Sequence, residues 1–120
     1  MTRGIINAFT VDVEDYYMVS AFSKTIEYSS WDLYESRVHE NTCRLLDLLD
    51  EYAIRATFFV VGWIADRVPS LVREIHRRGH ELGCHSYRHR LVFDLSPVEF
   101  RNDTRTAKAA IENCVGTEVI

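Results

Sequence analysis

Proline and glycine are scarce, with two and five among 120 residues. Linker composition is therefore absent, and no internal repeat or low-complexity tract stands in for it. The three cysteines, Cys43, Cys84 and Cys114, are odd in number and far apart. Neither a disulfide framework nor a paired-cysteine zinc pattern follows from them, and a reducing, cytoplasmic setting is the expectation. An excess of positive charge is also missing. The net charge is −4, so the basic footprint of a nucleic-acid binder is absent and no nucleic-acid partner is expected. The longest apolar stretches, such as Ala56–Ile64, fall far short of the ~20 residues that cross a bilayer, so no membrane span is expected. The run Ile5–Phe9 is too short, and too soon followed by acids, for a signal peptide. What is present is a globular balance of 47% hydrophobic and 27% charged residues, in a chain sized for one small domain or part of a larger one.

Residues 5–11 (IINAFTV) are apolar, rich in β-branched side chains, and stop at an acidic cluster, which predicts a buried strand. Residues 16–36 carry aromatics and serine without a clean period, as a long loop with a short helical piece would. From Val38 to Tyr52 the apolar residues Val38, Leu45, Leu46, Leu48 and Leu49 recur near helical spacing. Residues 56–61 (ATFFVV) predict a second buried strand, ending at Gly62. A helix is expected from Ser70, with Leu71, Val72 and Ile75 inward and Gly79 as its stop. Residues 81–85 (ELGCH) predict a short third strand. Ser96-Pro97-Val98-Glu99 is a helix start with cap, first-turn proline and capping-box glutamate, and that helix should end near Gly116. Glu118–Ile120 resembles the beginning of a further strand. The alternation of strand and helix implies an α/β fold with parallel strands, whose sites lie at the strands' C-terminal ends.

Two clusters carry chemistry. Asp12, Glu14 and Asp15 crowd three carboxylates directly after the first strand. In an extended chain Asp12 and Glu14 point the same way. A cation, or a retained proton, would relieve their repulsion; a solvated acidic turn is the plainer reading. The second cluster is His76, His80, His85 and His89. His85 and His89 are four residues apart, so a helical turn would project both rings from one side toward a shared ion. His76 and His80 fall at a helix C-terminus, where histidine is commonly a surface or loop-holding residue. Two imidazoles and a carboxylate make an open, catalytic-type zinc set, and a second carboxylate nearby can take a proton from water. No nucleophile elbow, phosphate-binding loop or dinucleotide fingerprint is present. Cys84 reads as a packing residue, and Ser86 lacks a base suggested by position.

With these residues in view, the chain resembles the polysaccharide deacetylase superfamily, the NodB-homology or carbohydrate esterase family 4 domain. The resemblance rests on Thr10–Asp15, on Ala56–Val60 and above all on Arg78–His89, and the matches span residues 5–116. The run Asp12–Tyr17 followed by Val19–Phe22 is similar to a subgroup associated with exopolysaccharide loci. The resemblance implies a distorted (β/α) barrel that hydrolyses N-acetyl groups on amino-sugar polymers with a divalent metal, usually zinc. It makes Asp12 the general base and His85 and His89 metal ligands. The common motif has two adjacent aspartates, base then ligand, whereas Val13 follows Asp12 here. A related Asp-x-Asp branch would place Glu14 at the third ligand position, which is the preferred assignment. Asp15 is the alternative if the strand end bulges.

Implied too are an arginine that orients the base, hydrophobic groove walls and a histidine acid, all later in the family's sequences. Barrels of this type need roughly 200 or more residues to close. Residues 1–120 are therefore expected to form the N-terminal part of one such domain. Alone, that part is expected to be inactive and to self-associate or bind a complementary fragment. The leading function is removal of N-acetyl groups from a carbohydrate polymer. The alternatives are a cyclic-amide or ureide hydrolase of the same superfamily and a non-catalytic metal-binding fragment.

Overall fold

The computed structural model describes residues 4–120. Three parallel strands make one sheet in the order β1 (Thr10–Val13), β2 (Thr57–Val60), β3 (Glu81–Cys84). The register aligns Asp12 with Phe59 and Phe59 with Gly83, and then Val13 with Val60 and Val60 with Cys84. Side chains alternate across a strand. Val11, Val13, Phe58, Val60 and Leu82 therefore share the face that packs into the hydrophobic core. Thr10, Asp12 and Glu81 stand exposed on the other face.

Four helices supply the core's second layer: α1 (Val38–Glu51), α2 (Gly62–Arg67), α3 (Pro69–Arg77) and α4 (Pro97–Val115). In α1 the buried stripe is Val38, Thr42, Leu46 and Leu49, the spacing of a helix with one apolar face. In α3 it is Leu71, Val72 and Ile75, behind a proline in the first turn. Helix α4 starts on a reciprocal cap. The Ser96 hydroxyl accepts from the Glu99 N–H at 3.2 Å, and the Glu99 carboxylate accepts from the Ser96 N–H at 2.8 Å. It ends at Gly116 with φ 73°, the left-handed stop that glycine adopts most readily. Leu46, Phe58, Ile64, Leu71, Ile75 and Ile111 are completely buried. Truncating any of these side chains to alanine costs about 2–5 kcal/mol.

The structure revises four expectations. The first strand begins at Thr10, not Ile5, and Ile5 and Ile6 are 89% and 96% exposed. Their β-branched character suits a strand, but sheet pairing begins only at Phe9, whose carbonyl accepts from Thr57. Gly62 does not merely end β2; it opens the short helix α2. Residues 85–90 are not a helical turn but an irregular loop, with Ser86 at φ 53° and His89 at φ 58°. Residues 118–120 are not assigned to a strand, although Cys84 donates its N–H to the Ile120 carbonyl at 3.0 Å. The long segment after β1 contains three 3₁₀ turns, Tyr16–Met18, Ser20–Phe22 and Tyr28–Leu33. Tyr17 and Trp31 from this segment pack against each other and against Trp63 of α2, with ring centroids 5.3–6.3 Å apart.

Among the described residues, no helix is long and apolar enough to cross a membrane.

Candidate metal centre

Strand alternation sorts the three acids after β1. Val13 packs inward, so Asp12 and Glu14 fall on the opposite side and Asp15 returns to the helix side. Asp15 is 2% exposed. Its carboxylate accepts from the Ser36 hydroxyl at 2.7 Å, from the Arg37 N–H at 3.0 Å and from the Val38 N–H at 3.3 Å. It thus closes the N-terminus of α1, where free N–H groups and the helix dipole favour an anion. Asp15 does not join the histidines.

Glu14 does. Its carboxylate oxygen Oε2 lies 2.8 Å from His89 Nε2 and 3.6 Å from His85 Nε2. One ligand atom from each of Glu14, His85 and His89 falls within 4.8 Å of the others. The two imidazole rings meet edge to face, 5.0 Å between centroids. Asp12 Oδ2 approaches His85 Nε2 at 3.8 Å and is the most open of the four side chains, at 55% exposure.

The loop bearing the histidines is fastened at every step. His85 donates its N–H to the Val60 carbonyl, extending the β2–β3 ladder by one bond. The first two N–H groups of α2, on Gly62 and Trp63, reach the carbonyls of Ser86 and Tyr87, both at 2.9 Å. The Tyr87 N–H is held by Asp103 of α4 at 3.2 Å, and the Tyr87 hydroxyl by Asp66 of α2 at 2.7 Å. The Ser86 hydroxyl accepts the His89 N–H at 2.7 Å. Two non-glycine residues in left-handed backbone each store on the order of 1–3 kcal/mol, a strain that clusters at functional sites. This scaffold, rather than helical periodicity, is what brings residues four apart onto one point. Sequence reasoning missed Gly62, Asp66 and Asp103; the glycine directly after a buried strand was their one local signal.

The donor set tests well for a divalent cation. Glu14 Oε2 and His85 Nε2 are buried and lack an aligned hydrogen-bond partner, as is His89 Nδ1. Buried polar atoms seldom go unsatisfied in native structures. Two ligands about 2.0–2.1 Å from a tetrahedral zinc sit about 3.3 Å apart, within the range seen here. The same groups are also coupled electrostatically. The His85 imidazole, foremost, holds the Glu14 carboxyl below its ordinary range against the opposing effect of burial, and the His89 charge adds to it. Glu14 in turn raises His85, with burial opposing and Asp12 assisting.

The other histidines do different work. His80 is buried and accepts the Ala56 N–H on Nδ1 at 3.1 Å, pinning the start of β2, and burial lowers its pKa. His76 is exposed on α3. Cys84 is half-buried in the sheet's inner face, packed against the core.

Residues 23–119 match the family described as polysaccharide deacetylase. A peptidoglycan-N-acetylglucosamine deacetylase of Bacillus cereus is 36% identical over 74 residues, covering 62% of this chain and 35% of the relative. A chitooligosaccharide deacetylase of Bradyrhizobium is 33% identical over 69 residues, covering 58% of this chain and 32% of the relative. Among solved structures, a family 4 acetyl xylan esterase from Clostridium thermocellum, in complex with a cobalt ion, superposes with a TM-score of 0.68. It is 27% identical, and the match covers 93% of this chain and 44% of that one. The chain spans between 13% and 35% of the length of the first curated relatives it resembles. With most of its length matched to one family and its fold shared with that family's structures, the chain belongs to the polysaccharide deacetylases.

Proposed function

We propose that this chain is the N-terminal part of a single metal-dependent deacetylase domain that removes N-acetyl groups from an amino-sugar polysaccharide. The observation that carries the reading is the convergence of Glu14, His85 and His89, half-buried and each with a buried polar atom that lacks an aligned partner, beside the open carboxylate of Asp12. In it, Glu14, His85 and His89 hold the cation, with zinc the best fit to two imidazoles and one carboxylate. A bound ion supplies Lewis-acid polarisation of an acetamide carbonyl and a water of lowered pKa.

The remaining steps belong to the chain's own side chains. Asp12 stands on the same sheet face as Glu14 and faces solvent, so it can accept the proton of an attacking water. Its 3.8 Å approach to His85 keeps it at the centre's edge without drawing it into the ligand cluster. The backbone fastening of residues 85–89 fixes both imidazoles before substrate arrives, which is the preorganisation that electrostatic catalysis needs. The names of the relatives, which act on peptidoglycan N-acetylglucosamine and chitooligosaccharides, support an N-acetylated glycan as the substrate class. An exopolysaccharide setting, suggested by Asp12–Tyr17, is part of the same proposal.

The test is acetate release from N-acetylated oligosaccharides by a form of the protein carrying the whole barrel. Asp12→Asn should retain one ion per chain and lose roughly 10²–10⁴-fold in turnover, the scale of general-base catalysis. A variant that loses the ion instead would move Asp12 into the ligand set and contradict the assignment.

A further inference from the structure

A cavity adjoins the metal centre and is not used by the chemistry above. It has a volume of about 280 Å³ and lies between the 3₁₀-rich segment after β1 and the stretch that follows His89. His89 lines it, so whatever binds there sits beside the ion site. We propose that this pocket binds an acidic sugar unit, a uronate, neighbouring the N-acetylated sugar in the polymer. The proposal rests on the deacetylase reading and names the substrate's second feature.

Three observations carry it. The first is the wall: Tyr17, Tyr28 and Trp31 line the cavity. Flat aromatic faces with a polar handle suit the mixed apolar and hydroxylated surface of a sugar ring. The volume suits one ring rather than several.

The second is an unmatched donor. Trp31 is 5% exposed, and its indole N–H has no acceptor. Trp31 lies 4.9 Å from Tyr28, centroid to centroid, in an edge-on arrangement. Among the described residues no acceptor reaches this N–H, and the residue that carries it lines the cavity.

The third is charge. Arg88 and Arg90 line the cavity against a single carboxylate, Asp94. Arg90 lies 3.9 Å from Glu99 and is partly matched. Among the described residues, Arg88 makes no ion pair; its guanidinium lies over the Tyr28 ring at 4.7 Å. Stacking fixes the plane of the guanidinium and leaves its N–H fork free, the geometry that receives a carboxylate through two parallel hydrogen bonds. A neutral sugar would leave that fork unmatched; a uronate would satisfy it.

The experiment uses tryptophan fluorescence of the metal-free chain. Trp31 lines this pocket and Trp63, the other tryptophan, lies 5.3 Å from Trp31, so the emission reads the pocket through Trp31. The probes are a hyaluronan tetrasaccharide, which alternates glucuronate with N-acetylglucosamine, the same oligomer with its carboxyls reduced to alcohols, and N-acetylchitotetraose. The native acidic oligomer should bind about tenfold or more tighter than either neutral probe, the scale of a charged hydrogen bond. Arg88→Gln should remove that preference and leave the neutral probes unchanged. Equal binding of native and carboxyl-reduced oligomers would overturn the proposal, and that comparison needs no protein variant. So would a preference that survives in Arg88→Gln, or no binding of the acidic oligomer. Acetate release is scored separately on the form carrying the whole barrel. A binding preference without release would remove the deacetylase reading alone, and release without the preference would remove the acidic subsite alone.

Discussion

At the scale of single residues, adjacent acids with the same charge take opposite fates. Glu14 is drawn into the histidine pair, while Asp15 turns inward to cap α1. This division makes two predictions. Asp15→Asn replaces an acceptor oxygen with an amide that faces backbone N–H groups, so chemical denaturation should show a loss of about 1–3 kcal/mol. Metal affinity should be little changed; a variant with native stability and lost metal binding would exchange the roles of Asp15 and Glu14. The other prediction concerns pH. A proton on His85 competes with the cation, and Glu14 and Asp12 raise the pH at which that proton leaves. Metal affinity should therefore be full at alkaline pH and fall with acidification, the decline beginning above the ordinary histidine value of 6.5. Calorimetric titration across pH 5–8.5 reads this window, and a flat profile would exclude an imidazole ligand. That Asp12, Glu14, His85 and His89 approach one another was legible in the sequence as two short motifs, because each chemistry-bearing pair is local. Whether Glu14 or Asp15 faces the histidines was not, because Asp15's partners, Ser36 to Val38, lie more than twenty residues away.

At the scale of elements, the site depends on α2 more than on β3, the strand that leads into His85. The first N–H groups of α2 clasp the histidine loop, and the helix must come close to do so. A Cβ on Gly62 would lie 2.6 Å from the Tyr87 ring and 2.8 Å from Ala107 Cα. Gly62→Ala should therefore push the loop from α2 or α2 from α4. We expect a loss of about 1–3 kcal/mol in stability, the usual result of overpacking. Metal affinity should fall about tenfold, as it does when supporting contacts are lost. Zinc calorimetry and denaturation on the same variant check both, and native values for both would show that the clasp is incidental. The strong helices were legible because their signals are local: the Ser96–Glu99 cap, Pro97, Gly116 and the apolar stripe of α1. Helix α2 was not, because a glycine after a strand usually marks a stop, and here its value lies in a contact with α4 that only tertiary packing creates. The early start assigned to β1 fails for a related reason. Ile5 and Ile6 have strand propensity, but among the described residues no neighbouring strand pairs with them.

For the whole molecule, the centre joins distant parts of the chain. Glu14 follows β1, and His85 and His89 follow β3, on opposite sides of β2. An ion held by all three fastens the sheet across its width. On the proposed reading such an ion would favour the folded chain, because the unfolded chain scatters these ligands. Zinc at about a hundred times its dissociation constant should add roughly 2.7 kcal/mol to stability, seen as a rise of about 10 °C in Tm. The α/β class and parallel order were legible from alternation of strand and helix. The measurement that bears most directly on the central claim is equilibrium dialysis of zinc against the wild-type chain and the His85→Ala/His89→Ala double variant. The account predicts one tightly held ion per wild-type chain and a loss of at least ~10–100-fold in affinity for the variant. Unchanged stoichiometry and affinity in the double variant would contradict it.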